Sequence, residues 1–289
     1  MKLGIFAKTF ARPMVEEVFA AVARLEVGCV QFNLACAGLP SMPDALPPGI
    51  CERIAQAARH YGCEIAALSG TFNMCHPERP QRRDGLRRFE QVAAAAAALG
   101  CPLVTLCTGT RDATDMWRPH PGNSAREAWR DLAETLTSAL EVAERHQLVL
   151  GIEPELGNVV SSAKRARQLL DEMRSPRLKI IFDPANLVPS GEQARANEVV
   201  GEAFALLGGE LALAHAKELG ASGHAGGLAI GAGVLDWRRY LDLLRQYAFD
   251  GPLILHGFEE ADAARSLAFV RDVAQASKPA VSQGSKPAE

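Results

Sequence analysis

Paired cysteines are missing from this chain. Its seven cysteines, at positions 29, 36, 51, 63, 75, 101 and 107, form no CxxC pair and no metal-knuckle spacing. Odd in number and often set inside apolar runs, they read as reduced core thiols of a cytoplasmic protein. An excess of charge of one sign is missing too. Lys and Arg total 31 against 34 Asp and Glu, giving net −3 and a pI near 6.2. Such a balance offers no bulk attraction to nucleic acid or to an anionic membrane. The longest small-apolar run, Val92–Leu99, is far too short to span a bilayer. KLGIF at the start reads directly as a strand, without a charged n-region and apolar h-region, so no export signal is expected. No GxGxxG follows that strand, which argues against an open dinucleotide-binding sheet.

What is present is a regular alternation. The 289 residues are 48% hydrophobic, enough for a well-formed core. Strand-like runs at 2–6, 29–32, 64–68, 103–107, 148–152, 178–182, 211–214 and 252–256 alternate with amphipathic stretches. Those stretches predict helices over 13–25, 48–61, 84–99, 124–146, 162–173, 193–207, 236–247 and 261–273, the fourth capped by Asn123 or Ser124. Eight strand–helix units without a break in composition predict an α/β fold, a single (β/α)8 TIM barrel over residues 1–275. Residues 276–289, ending in SKPAVSQGSKPAE, read as a disordered tail.

The functional signal is concentrated between Leu148 and Lys217. Three apolar runs there, in LVLGIEPE, LKIIFDPAN and LALAHAKE, lead into Glu153, Asp183 and His215. The three are roughly 30 residues apart, the length of one strand–helix–strand crossover. A parallel sheet of such units brings its strand C-terminal ends to one rim, where two carboxylates and an imidazole would meet as a divalent-metal site. Oxygen and imidazole donors suit Mn²⁺, Co²⁺, Mg²⁺ or Zn²⁺. His256 ends the eighth strand at the matching position and is the expected fourth ligand, ahead of Glu259 and Glu260. Asn73, His76, Glu155, Asn186 and Lys217 follow strand ends and are expected to bind substrate. Arg79, Arg82, Arg83, Arg87 and Arg88 read as a solvated helix start, and the six glycines between Gly220 and Gly233 as a mobile flap.

With GIEPE, FDPANL, HAKE and IGAGVLDWRRYLDLLRQYAFDGPLILH, the chain resembles the sugar phosphate isomerase/epimerase proteins with a xylose isomerase-like barrel, from the first strand to about Val273. The resemblance implies one divalent metal held by Glu153, Asp183, His215 and the residue at the position of His256. It further implies proton abstraction alpha to a carbonyl of a small carbohydrate, with Glu153 and His256 as catalytic groups. Two positions depart from the pattern. Lys217 is followed by Glu218 rather than Asp, and His256 stands where the epimerases carry a glutamate. The second change weakens a two-glutamate 3-epimerisation, and the first reading is a metal-dependent isomerase or epimerase of a small ketose, keto-sugar or related polyol, with a dehydratase of keto-inositol or dehydroshikimate type and a non-catalytic sugar-binding protein as alternatives. The DNA-repair endonuclease branch of such barrels is disfavoured by only seven histidines and net −3. The expected partner is a small-molecule carbohydrate, not nucleic acid or membrane, with assembly into a homo-oligomer left open.

Overall fold

The computed structural model describes residues 1–276; the expected disordered tail falls, but for Ala276, outside the described residues. Eight strands form one closed parallel barrel in chain order. They are β1 (Lys2–Phe6), β2 (Cys29–Phe32), β3 (Glu64–Ser69), β4 (Leu103–Cys107), β5 (Val149–Glu153), β6 (Leu178–Phe182), β7 (Leu211–Ala216) and β8 (Pro252–Leu255). Closure comes from β1 pairing with β8, in register from Lys2 opposite Pro252 to Ile5 opposite Leu255. The helices are α1 (Val15–Ala23), α2 (Ile50–His60), α3 (Arg79–Ala98), α4 (Arg126–Arg145), α5 (Ala163–Met173), α6 (Ala196–Leu207), α7 (Trp237–Gln246) and α8 (Ala263–Ala276). The expected barrel is therefore the observed one, with element ends displaced by a few residues.

Two displacements have clear causes. α3 begins at Arg79 rather than at Asp84, because Pro80 falls in its first turn, where a missing N–H costs nothing. α4 starts at Arg126 with Ala125 as a cap that offers no side-chain bond, so neither Asn123 nor Ser124 caps it. Asn123 instead accepts from Thr110 and from the Arg111 N–H, and donates to the Gly157 carbonyl, tying the loop after β4 to the loop after β5. The expected solvated arginine run is also corrected in one place. Arg82 is buried, donates to the His76 carbonyl and lies 3.3 Å from Asp131, which Arg111 also holds at 2.7 Å. Arg87 and Arg88 do pair at the surface, with Asp44 and Asp84.

The core has two parts. The larger lies between barrel and helices. The smaller, Cys29, Ala66, Ala67, Leu103, Ile181, Leu213 and Ile254, contains no helix residue and plugs the inside of the barrel. Gly151 makes room for it, since a Cβ there would come within 2.3 Å of Ile181 Cδ1. Side chains alternate along a strand, so the residue two further on faces the same way. From the plug, that step leads to Gln31 on β2, Ser69 on β3, Thr105 on β4, Asp183 after β6, His215 on β7 and His256 after β8. From Gly151 it leads to Glu153. The apolar plug thus carries a polar layer directly above it, at the C-terminal mouth.

Candidate metal centre

The polar layer converges on Asp183. Its Oδ2 lies 3.0 Å from His256 Nε2, 3.1 Å from Lys217 Nζ and 3.6 Å from His215 Nδ1. His215 Nδ1 also lies 3.3 Å from Glu153 Oε1. Glu153, Asp183, His215 and His256 each offer one ligand atom, and the four atoms lie within 4.8 Å of one another. All four are buried or nearly so.

Gln31 fixes how His215 presents itself. Its Nε2 donates to the hydroxyls of Ser69 and Thr105, each at 3.2 Å, so its Oε1 is left to accept from His215 Nε2 at 2.8 Å. The imidazole proton on that side is thereby assigned, and Nδ1 faces Glu153 and Asp183. From outside the barrel, Tyr240 on α7 donates to the His215 carbonyl at 2.9 Å and steadies the strand end. His256 packs 4.2 Å from His215 between ring centroids, with Phe6 of β1 edge-on at 6.2 Å.

Charges in this layer compensate one another. Burial pushes the Glu153 carboxyl up, yet the charge of His215 and its hydrogen bond outweigh that and hold it below the usual range. Asp183 is buried too, but Lys217 and the two histidines hold it well below an ordinary aspartate. Burial opposes protonation of His215, and the facing carboxylates overcome it, raising the group to about 9. His256 goes the other way, to about 4, because burial and the neighbouring His215 charge exceed the help of Asp183. Two carboxylates are therefore balanced by Lys217 and a protonated His215, with His256 neutral.

This donor set fits a divalent cation. His256 Nε2 meets Asp183 Oδ2 and His215 Nδ1 meets Glu153 Oε1, with Asp183 Oδ2 3.6 Å from it, so both ring protons point into the carboxylate pair where a cation would replace them. Glu153, Asp183, His215 and His256 are the residues that would hold it.

Three further expected residues surround the cluster. Asn186 donates from Nδ2 to Glu153 Oε1 at 2.7 Å and to Glu155 Oε1 at 2.9 Å, while its Oδ1 accepts from Lys217 Nζ. Glu155 is half-buried; burial and the Glu153 charge raise its carboxyl to about 7. The Lys217 stem is enclosed by Gly257, whose φ is +78° and where a Cβ would come within 2.6 Å of Lys217 Cγ. Asn73 and His76 are not brought to the cluster. Asn73 Oδ1 accepts from the N–H groups of Cys75 and Thr110, both at 3.1 Å, and the two His76 ring nitrogens meet the Glu78 N–H and the Ala113 carbonyl. Glu259 and Glu260 are exposed, and Glu260 pairs with Arg12, so His256 rather than either glutamate stands in the cluster.

The glycine-rich segment is anchored, not loose. Glu218 is fully buried and accepts from the N–H groups of Leu219, Gly231 and Leu235 and from Trp237 Nε1 at 2.8 Å. The Gly227 N–H donates to the Gly257 carbonyl at 2.6 Å, and the Ile230 N–H to Ser266 Oγ at 3.1 Å. Gln31, Ser69 and Thr105 were not singled out by the sequence pattern, and Glu218 only as a departure from the resemblance. The signal for the first three was the two-residue step from an inward apolar or small residue.

Residues 19–273 match the family model described as the xylose isomerase-like TIM barrel. The chain belongs to this family. Solved structures agree on the fold. An L-ribulose 3-epimerase superposes with a TM-score of 0.76 at 17% identity, over 99% of each chain. A 3-keto-D-glucoside 4-epimerase from E. coli gives 0.71 at 18% identity, over 94% of this chain and 99% of that one. An IolI protein with a bound zinc atom gives 0.73 at 13% identity, over 96% and 99%. No curated protein matches the sequence. Among the described residues, no helix is long and apolar enough to cross a membrane.

Proposed function

We propose that this member of the xylose isomerase-like family is a metal-dependent isomerase or epimerase of a small sugar, keto-sugar or related polyol. The observation that carries the reading is the convergence of Glu153, Asp183, His215 and His256 on one point of the C-terminal mouth. That epimerases of ribulose and of a keto-glucoside share the fold supports it. So does a zinc-bearing relative. Seven unpaired thiols are in keeping with a reducing, cytoplasmic setting.

A divalent ion held there supplies electrophilic stabilisation of a substrate carbonyl and its developing negative charge. Gln31 holds the His215 ring, and Asn186 holds Glu153 and Glu155 side by side through one amide. Glu155 titrates near neutrality, the range in which a carboxyl both accepts and returns a proton at working pH. Lys217 places a fixed positive charge beside Asp183 and Asn186, suited to a substrate oxygen. Asn73 and His76 shape the loop after β3, and a contact from them to substrate belongs to the same proposal. At the β8 end His256 is neutral, so a second proton carrier on that side is an imidazole or water rather than a carboxylate. A lyase is the second reading, because dehydration begins with the same proton removal and the same residues serve it.

The test is deuterium uptake from solvent into a panel of ketoses, with and without added Mn²⁺ or Co²⁺. Metal-dependent exchange is expected, lowered about 100-fold or more by Glu155→Gln. An unsaturated product with loss of water selects the lyase. No exchange across the panel in metal-loaded protein refutes an enolising enzyme.

A further inference from the structure

A second cleft opens on the same face, between the loop after β4 and the loop after β5. It encloses about 630 Å³, and its walls include His120, Asn158, Ser161 and Arg165. No acidic residue lines it. Arg165 sits in the first turn of α5 with its guanidinium 4.4 Å over the Trp129 ring, and its Nε donates to the Val159 carbonyl. Among the described residues no carboxylate pairs with it, which sets it apart from the buried Arg82 and Arg111 nearby. Its two terminal nitrogens are free to form a fork for a planar or tetrahedral oxyanion.

Between the apolar Pro119, Pro121, Leu156 and Val159, three further wall residues carry polar groups able to donate. Asn158 is only 2% exposed; its Oδ1 accepts from the Gly109 N–H at 2.6 Å, which fixes the amide orientation. Its Nδ2 then has no partner among the described residues, an unusual state for a buried polar atom. His120 Nδ1 accepts from the Gly122 N–H, so in the neutral ring the proton is on Nε2. Ser161 engages its hydroxyl with nothing described, and the start of α5 adds the positive end of a helix of 11 residues. A cation, a hydroxyl and an imidazole line one cleft together with a buried amide whose N–H has no described partner, and no acidic residue lines it.

The cleft is also tied to the metal centre through the backbone. Glu155 N–H donates to the Val160 carbonyl at 3.0 Å, and Asn158 N–H to the Glu155 carbonyl at 2.8 Å. The loop that carries Glu155 toward the cluster is therefore the loop that builds the cleft wall.

We propose that this cleft binds the terminal oxyanion, phosphoryl or carboxylate, of a small-molecule ligand through Arg165, Asn158 and Ser161. Its use as the subsite for a charged end of the substrate rests on the reading given above; anion binding itself does not.

The test is calorimetric titration of the metal-free, full-length protein with inorganic phosphate and, separately, with acetate. Saturable binding of one anion per chain is expected. Arg165→Ala should weaken it about tenfold or more. Ser161→Asp, which places a negative charge in the cleft without removing any described hydrogen bond, should abolish it. Preference for phosphate assigns a phosphoryl group, and equal or better binding of acetate assigns a carboxylate. Absence of saturable binding of either anion, or binding unchanged in Ser161→Asp, overturns the proposal. Because no metal and no turnover enter the measurement, its failure leaves the enolising reaction untouched, and failure of the exchange assay leaves the cleft untouched.

Discussion

Replacing Gln31 by leucine separates the support of the metal centre from its ligands. Gln31 is 4% exposed and makes three hydrogen bonds, to His215, Ser69 and Thr105. Leucine fills a similar volume and keeps the barrel plug below it covered, but it forms none of them. The bond to His215 involves a charged ring and is worth about 1.5–3 kcal/mol; the two hydroxyl bonds add about 1 kcal/mol each. The apolar side chain returns about 1–2 kcal/mol of this by burial. The net cost to the fold is then about 2–4 kcal/mol, a fall of roughly 2–4 °C in Tm for each kcal/mol in a domain of this size. Metal affinity answers a different question. A ring that has lost its outer hydrogen bond typically binds metal about 10–100-fold more weakly. Gln31→Glu should reverse the direction, because a carboxylate acceptor makes the imidazole a stronger donor to a cation. The assay is competition for Zn²⁺ or Co²⁺ against a chromophoric chelator, with thermal melts of the same samples. If Gln31→Leu melts lower yet binds metal as tightly as the parent protein, orientation of His215 by Gln31 is refuted.

Two further outcomes follow from the same geometry. Asp183→Ala should abolish stoichiometric metal, measured by elemental analysis of purified protein, and should destabilise the apo fold by about 3–5 kcal/mol, because Lys217 and His215 lose their shared acceptor; full occupancy in that variant would contradict the site. Acid should loosen the loops through Asp131: burial pushes its carboxyl up, but Arg111 and Arg82 outweigh this and hold it below its ordinary 3.8. A depressed folded-state pKa stabilises at all pH above the unfolded value and is lost as pH falls through the folded one. Urea melts should therefore show an acid limb below about pH 4 that is shallower in Asp131→Asn, and an identical limb in both proteins would exclude this ion cluster as its source.

The barrel and the cluster of Glu153, Asp183, His215 and His256 at its mouth were legible because both follow from one-dimensional periodicities. Glu153, Asp183 and His215 close apolar runs at crossover spacing, and parallel pairing leaves their strand ends no other place to go. Asn186 and Lys217 were legible for the same reason, being short steps from those ends. Gln31, Ser69 and Thr105 obey the same two-residue alternation, but nothing in CVQF, EIAALS or LVTLC alone says that three neutral polar groups point at one imidazole. Arg82 was misread because its helix shows charge on every side. Only the fold reveals that Asp131, nearly 50 residues away, meets it in the interior. Asn73 and His76 follow a strand end as Asn186 does, yet hydrogen bonds to loop backbone groups hold them in the β3 loop, away from the cluster.

The exchange of a β8 carboxylate for His256 has a consequence for charge that goes beyond the loss of a base. Without a cation, Glu153 and Asp183 are offset by Lys217 and the His215 proton. With a divalent ion held by these four residues, His215 would give up that proton and His256 is neutral already, so the layer would carry one more positive unit than the balanced one. Ionised Glu155 can cancel the excess; protonated Glu155 cannot. With a carboxylate at position 256 the surplus would never arise. Under the proposed function, a histidine at position 256 would favour an anionic ligand oxygen at the loaded centre. His256→Glu should remove the surplus. The variant's affinity for an anionic inhibitor such as an enolate-like hydroxamate should drop while its metal is retained. Unchanged inhibitor affinity in the metal-loaded variant would show that the charge at position 256 does not reach the ligand.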